Sequence, residues 1–222
     1  NIIADLEGAI AINALPMRET SSNYGRVTKA MAYMLYAEIV MYQKDESRYA
    51  KALQYMQEII ASTENYSLVG NYADIFKESG EWSSESIFEI NYKDDNAARS
   101  WNSPLFAGGT VLPRLIGPKD WVNGVDGHDN GWGFCPVRSE TYQRYTANDN
   151  RRGATCWDAA AAGSYKARYQ NTGYFLEKYV AHSGDNADQI ADGDLNYNNN
   201  LRIYRFSETL LKLAIVDSSL FM

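Results

Sequence analysis

The sequence predicts a mainly α protein: a tetratricopeptide-like helical scaffold with long loops and a few short β-strands. Three observations carry that prediction. Two consecutive segments have apolar residues at helical spacing, a short turn separates them, and the strand-like run Glu85-Ser-Ile-Phe-Glu-Ile-Asn-Tyr92 follows a Tyr-containing break. Apolar side chains recurring at three, four and seven residues lie on one face of a 3.6-residue helix and require a neighbour to cover them.

Asn1 to Leu15 comes first, with Ile2, Leu6, Ile10, Ile12 and Leu15 supplying at most one helix. The segment Glu19-Thr-Ser-Ser-Asn-Tyr-Gly25 offers side-chain acceptors for the free N–H groups of the next helix start. From Arg26 to Gln43, Val27, Met31, Met34, Leu35 and Met41 form one stripe. From Arg48 to Ser62, Ala52, Leu53, Met56, Ile59 and Ile60 form another, with Lys51, Gln54, Gln57 and Glu58 elsewhere. The pair reads as an antiparallel hairpin in which the small Ala37 and Ala52 let the backbones approach. A single hairpin leaves its outer stripes uncovered, so further helix is expected from the far end of the chain or from outside it.

Composition excludes several function classes. The chain of 222 residues carries 21 basic and 28 acidic side chains, a formal charge of −7, and its pI is near 4.9. Nucleic acid and anionic membrane surfaces attract a basic face, so neither is an expected partner. No apolar run approaches the ~18 residues that a spanning helix needs. No cofactor is expected. The sequence has no Gly-x-Ser-x-Gly elbow, no His-Glu-x-x-His and no phosphate-cradling loop. Pairs such as Asp94/Asp95 or Glu81/Glu85 are common on an acidic surface and do not define the carboxylate separation of a glycosidase. His128 beside Asp129 reads as a surface pair, since adjacent residues usually point apart. Asp185 to Asn196 is dense in oxygen ligands, but a calcium loop started at Asp188 has Ile190 at its third position and Asn199 at its twelfth. No catalytic residue and no metal ligand is therefore expected. Cys135 and Cys156 are too few for a disulfide framework and are free thiols or a single bridge.

The chain has 17 tyrosines and five tryptophans. Tyr33 and Tyr36, at helical spacing, read as core residues with satisfied hydroxyls. Trp101, Trp121 and Trp132 differ because they lie among Gly108, Gly109, Gly117, Gly124, Gly127, Gly131 and Gly133, with Asn102, Asn123, Asn130, Asp126, Asp129 and Arg99 nearby. A flat ring can stack on the C–H face of a sugar while amides, carboxylates and guanidinium groups meet its hydroxyls. Trp101, Trp121, Trp132, Asn102 and Arg99 are thus the candidate glycan-binding residues. The alternative for each Trp is a plug that packs its loop onto the scaffold, and Trp132 in Gly-Trp-Gly-Phe-Cys-Pro136 fits that role best.

The runs Arg26-Val-Thr-Lys-Ala-Met-Ala-Tyr-Met-Leu-Tyr-Ala-Glu38, Tyr49-Ala-Lys-Ala-Leu-Gln-Tyr55, Tyr66-Ser-Leu68, Tyr72-Ala-Asp-Ile-Phe76 and Glu85-Ser-Ile-Phe-Glu-Ile90 resemble, in order and spacing, the SusD/RagB family of bacterial outer-membrane nutrient-uptake lipoproteins. Asn148-Asp-Asn-Arg-Arg152, Gly173-Tyr-Phe-Leu-Glu-Lys-Tyr179 and Arg202-Ile-Tyr-Arg-Phe-Ser-Glu-Thr-Leu-Leu211 are similar to its later landmarks. The resemblance implies a SusD-like fold and a non-enzymatic role: capture of a polysaccharide or oligosaccharide at the cell surface and delivery to a SusC-like TonB-dependent outer-membrane transporter. It also implies attachment through an N-terminal lipid anchor that this chain does not carry. The whole chain, 1–222, is expected to be one SusD-like domain, incomplete at its N-terminus and open to continuation at its C-terminus, where Lys212-Leu-Ala214 departs from the family pattern. A helical-repeat module that binds another protein is the alternative.

Overall fold

The computed structural model describes residues 2–94, 99–122, 127–186 and 192–220. Asp95, Asn123, Gly124, Asp126, Asp188 and Ile190, named above, lie outside these residues. In chain order the elements are α1 (Ile2–Ala11), α2 (Lys29–Gln43), α3 (Tyr49–Ala61), β1 (Ser86–Ile90), α4 (Leu112–Ile116), β2 (Lys119–Val122) and α5 (Ser139–Arg144). They continue with α6 (Arg151–Thr155), β3 (Cys156–Asp158), α7 (Ala159–Ala162), β4 (Ser164–Lys166), β5 (Tyr174–Leu176), β6 (Leu201–Arg205) and α8 (Phe206–Leu220). The fold is mainly α, and among the described residues the strands pair two at a time: β1 with β6, β2 with β4 and β3 with β5. Among the described residues no helix is long and apolar enough to cross a membrane.

The chain folds into two compact units, one of Asn1–Gly70, Trp82–Ile90 and Arg202–Met222, the other of Asn71–Glu81 and Asn91–Leu201. The first unit is the helical scaffold. Its hairpin is α2 with α3, and α8 from the far end of the chain covers both. The start of α2 differs from expectation in detail. The cap is Thr28, whose hydroxyl accepts from the Met31 N–H at 3.1 Å, and Val27 is exposed rather than part of the stripe. The stripe is also wider than one face: Ala30, Ala32, Tyr33, Met34, Tyr36, Ala37 and Val40 are all buried, because α1, α3 and α8 all pack against α2. The helix ends at Lys44, which takes a left-handed φ of 53°. There the Asp45 N–H reaches back to the Val40 carbonyl at 3.0 Å, satisfying a carbonyl the helix leaves free.

The buried tyrosines hold their hydroxyls as expected. Tyr33 donates to Glu58 and Tyr36 to Glu7, and its own burial, followed by the Glu7 partner, pushes the Tyr36 hydroxyl up to about 12. Tyr33 and Tyr55 stack with ring centroids 4.1 Å apart.

The pairing of β1 with β6 departs from simple alternation. Glu89 is buried while Ile90 is exposed, because the Arg202 guanidinium on β6 lies 3.7 Å from the Glu89 carboxylate, both side chains being almost fully enclosed. The Trp82 N–H also donates to Glu89 at 3.0 Å. Where β6 runs into α8, Arg205 pairs with Glu85 at 2.7 Å.

The second unit is loop-rich around a small core of Trp121, Trp157, Ala159, Phe175 and Val180. Strands β3 and β5 run antiparallel in the register Cys156↔Leu176, Trp157↔Phe175, Asp158↔Tyr174. Just before α6, Asp149 accepts from Arg151 three times, from Nε at 3.0 Å, from Nη2 at 2.7 Å and from the backbone N–H at 2.9 Å. Hydrogen bonds to the charged form favour it, so these contacts hold the Asp149 carboxyl down at about 2.

Two expectations follow. Met56 is fully buried, so Met56→Ala should cost about 2–5 kcal/mol, seen as a lower urea midpoint with an unchanged slope. Asp149 has a depressed folded-state value, so its contribution to stability is present above the ordinary value of about 3.9 and is lost as pH falls through the folded-state value of about 2. A carboxyl-carbon NMR titration should place its midpoint near the lower figure and move it upward in Arg151→Ala.

Candidate functional site

The sequence-predicted aromatic residues separate into a surface pair and a buried ring. Ser100 and Ser103 exchange backbone hydrogen bonds of 3.4 and 3.0 Å, forming a tight antiparallel turn whose tip is Trp101 and Asn102. Both tip residues are exposed, and 57% of Trp101 is accessible. The turn is held from below. Asp192 accepts from the Trp101 N–H at 2.9 Å. The buried Asn196 amide donates to the Arg99 carbonyl at 2.9 Å and to the Asp192 carbonyl at 2.8 Å, and its oxygen accepts from the Gly109 N–H at 3.3 Å. Gly109 is required at that contact, since a Cβ there would lie 2.3 Å from the Asn196 carbonyl carbon.

Trp132 arrives from a different loop. Its N–H donates to the Arg114 carbonyl at 2.7 Å, Gly133 donates to Gly117 at 2.7 Å and Phe134 to Leu115 at 2.9 Å. Gly131 presses on Gly117 so closely that a Cβ would sit 2.2 Å from its carbonyl. The half-buried Trp132 ring then lies 6.0 Å from that of Trp101, the planes inclined by 22°. Trp132 thus sits on a loop tied to the 114–117 backbone and forms one wall of the stack.

Arg99 is partly buried, donating to the Gly109 carbonyl at 2.7 Å, and lines a groove of about 350 Å³ with Tyr92, Lys93 and Phe106. Trp121 is elsewhere. Only 7% accessible, its ring meets Trp157 edge to face at 4.6 Å, so it presents no face for a ligand. The pairing of β2 with β4 and the distant Trp157 decide that, and neither is visible in the Gly- and Asn-rich surroundings of Trp121.

Several surface residues were not singled out in the sequence. Phe134 meets Trp132 edge to face at 6.5 Å, and the Arg168 guanidinium lies 4.9 Å from the Phe134 ring centroid. Phe134, Arg138, Arg168 and Tyr169 line an open cavity of about 1010 Å³, with Tyr169 87% exposed. The local signal was an aromatic beside a basic residue, as in Arg168-Tyr169.

His128 also departs from its sequence reading. It bonds Glu177 at 2.9 Å, its ring lies flat on Trp157, and His128, Glu177 and His182 bring potential ligand atoms within 4.8 Å of one another. The cysteines are free, Cys135 exposed and Cys156 buried, and burial pushes the Cys156 thiol up.

Residues 17–214 match the model of the SusD family. A stretch of 97 residues, 44% of this chain and 18% of the relative, is 32% identical to the SusD-like protein P25 of Formosa agariphila. Among solved structures, surface glycan-binding protein A from Bacteroides thetaiotaomicron, in complex with laminarihexaose, is 62% identical with a TM-score of 0.95, over 98% of this chain and 49% of that one. Surface glycan-binding protein A from Bacteroides fluxus is 40% identical with a TM-score of 0.90, over 96% of this chain and 45% of that one. The chain therefore spans about half the length of the solved relatives it matches. Family model and fold agree along nearly the whole sequence: this chain belongs to the SusD family.

Proposed function

We propose that this chain contributes the binding surface of a glycan-capturing protein of the bacterial outer membrane, holding an oligosaccharide without cleaving it and passing it to a SusC-like TonB-dependent transporter. The observation that carries this reading is the exposed stack of Trp101 on Trp132. Two large rings fixed by backbone hydrogen bonds offer a flat apolar face, and Asn102 at the tip with Arg99 in the adjoining groove supplies donors for sugar hydroxyls. Phe134 and Tyr169 extend that surface, giving an elongated ligand more than one ring to lie on. Similarity at 62% identity to a protein solved with laminarihexaose makes laminarihexaose the first ligand to try. The net charge of −7 suits a neutral ligand better than an anionic one.

Trp121, packed against Trp157 in the small core, enters this reading as a structural residue and not as a contact. Isothermal titration with laminarihexaose should give micromolar-range affinity, weakened about tenfold or more by Trp101→Ala, since each 1.4 kcal/mol is a factor of ten. That variant should melt as the parent does because the ring is exposed. Trp121→Ala should instead lower stability by about 3–5 kcal/mol. Unchanged affinity in both Trp101→Ala and Trp132→Ala would remove the stack from the site, and release of reducing ends on prolonged incubation would overturn the non-enzymatic reading.

A further inference from the structure

Outside the aromatic surface, His128, Glu177 and His182 gather potential metal-ligand atoms among the described residues, and three independent features hold the group together. The first is backbone pairing. Asp129 N–H donates to the Ala181 carbonyl and Ser183 N–H to the Gly127 carbonyl, each at 2.8 Å, so His128 and His182 face each other across an antiparallel bridge. In this pattern the two residues form the non-hydrogen-bonded pair, whose side chains share one face and come closest. Their rings are 4.6 Å apart. The second is the aromatic wall: the His128 ring lies on Trp157 with centroids 3.7 Å apart and planes inclined by 7°, which fixes its plane. The third is Glu177, which opens a 3₁₀ turn directly after β5 and sits between the two rings, Oε2 2.9 Å from His128 Nε2 and Oε1 3.6 Å from His182 Nε2.

We infer that His128 Nε2, Glu177 and His182 Nε2 form a binding site for a divalent transition cation of the zinc class. Two imidazole nitrogens and one carboxylate are the donor set that zinc takes with three protein ligands and one open position. Hard cations such as Ca²⁺ and Mg²⁺ prefer all-oxygen shells and are disfavoured here. Ligand atoms around a tetrahedral zinc stand about 3.3 Å apart, from bonds of about 2.0–2.1 Å. The observed spread up to 4.8 Å closes by rotation of His182, whose side chain is 37% exposed, while the enclosed His128 stays on Trp157. Access comes from a cavity of about 600 Å³ whose wall includes Glu177 and His182, and it is on this side that a water or a ligand oxygen would complete the shell. Bound metal would tie residues 127–129 to 177–182.

The test is Zn²⁺ displacement from a chromophoric chelator by the full 222-residue chain, made in a Cys135→Ser background so that the exposed thiol contributes nothing. One Zn²⁺ per chain is expected, with a raised melting temperature and no matching response to Ca²⁺ or Mg²⁺. His182→Ala and Glu177→Gln should each weaken binding by more than the roughly 10- to 100-fold that losing an outer-shell partner costs, and both should abolish the melting shift while leaving the metal-free melting temperature near the parent's. Failure of the parent to compete for Zn²⁺, or equal binding in both variants, would overturn the assignment. Neither outcome bears on glycan capture.

Discussion

The constraint on which the rest of the structure depends is the pairing of β1 with β6, fastened by Glu89 and Arg202. These strands lie at 86–90 and 201–205, so their pairing closes a very long loop, and the entropic cost of that closure must be offset locally. Burying a carboxylate and a guanidinium is itself expensive, and their attraction roughly repays the desolvation. What the pair contributes is register. A slip of one residue would turn every side chain to the opposite face, leaving both charges unpaired against Ile87 and the buried helices. Glu85 with Arg205 repeats the constraint at the edge of α8, and Phe206 N–H donates to the Glu85 carbonyl at 2.8 Å. The start of α8 is therefore set by the strand pair, and α8 is the helix that covers α2 and α3.

The same closure brackets the larger part of the loop-rich unit, which leaves after β1 and returns before β6, while Asn71–Glu81 joins it from before β1. Its two ends are clasped by Asn200, whose side-chain oxygen accepts from the Tyr92 N–H at 2.9 Å and whose backbone N–H donates to Glu81 at 2.7 Å. Inside, order comes from polar hubs and close backbone approaches in place of long regular elements. Asn196 satisfies three backbone groups at once, and Gly109 and Gly131 allow approaches that any side chain would block. Functional side chains commonly sit on such connecting segments when a rigid support positions them.

How much of this was legible in the sequence follows from the range of each signal. The hairpin of α2 and α3, the strand at β1 and the need for further helix, from the far end or from outside the chain, rest on local periodicity; the hairpin and strand are present, and α8 supplies helix from the far end. The order of the later landmarks also carried through, with Asp149 and Arg151 joined, β5 running into its turn and β6 into α8. Periodicity could not reveal that Glu89 would be inside and Ile90 outside, because the reason is Arg202 on a strand more than a hundred residues away. Nor could composition separate Trp101 from Trp121. Both sit among glycine and asparagine, and their difference is long-range: Trp101 rides a turn pinned by Asp192, while Trp121 is drawn against Trp157. His128 and His182 were equally opaque, since only an antiparallel bridge places them face to face.

The stacked pair has a property that isolated exposed rings lack. A tryptophan on a free loop must lose backbone and rotamer freedom when it meets a ligand, and that loss subtracts from affinity. Here Asp192, Asn196 and the 114–117 backbone already hold the main chain that carries both rings, so under the proposed function the ordering cost would fall on folding and not on ligand capture. This matters most for a neutral oligosaccharide, whose individual contacts are modest and tolerate little entropic penalty. The rigidity of the helical scaffold is not what supplies it. The local network around Asn196 supplies it for the Trp101 turn and the 114–117 backbone supplies it for Trp132.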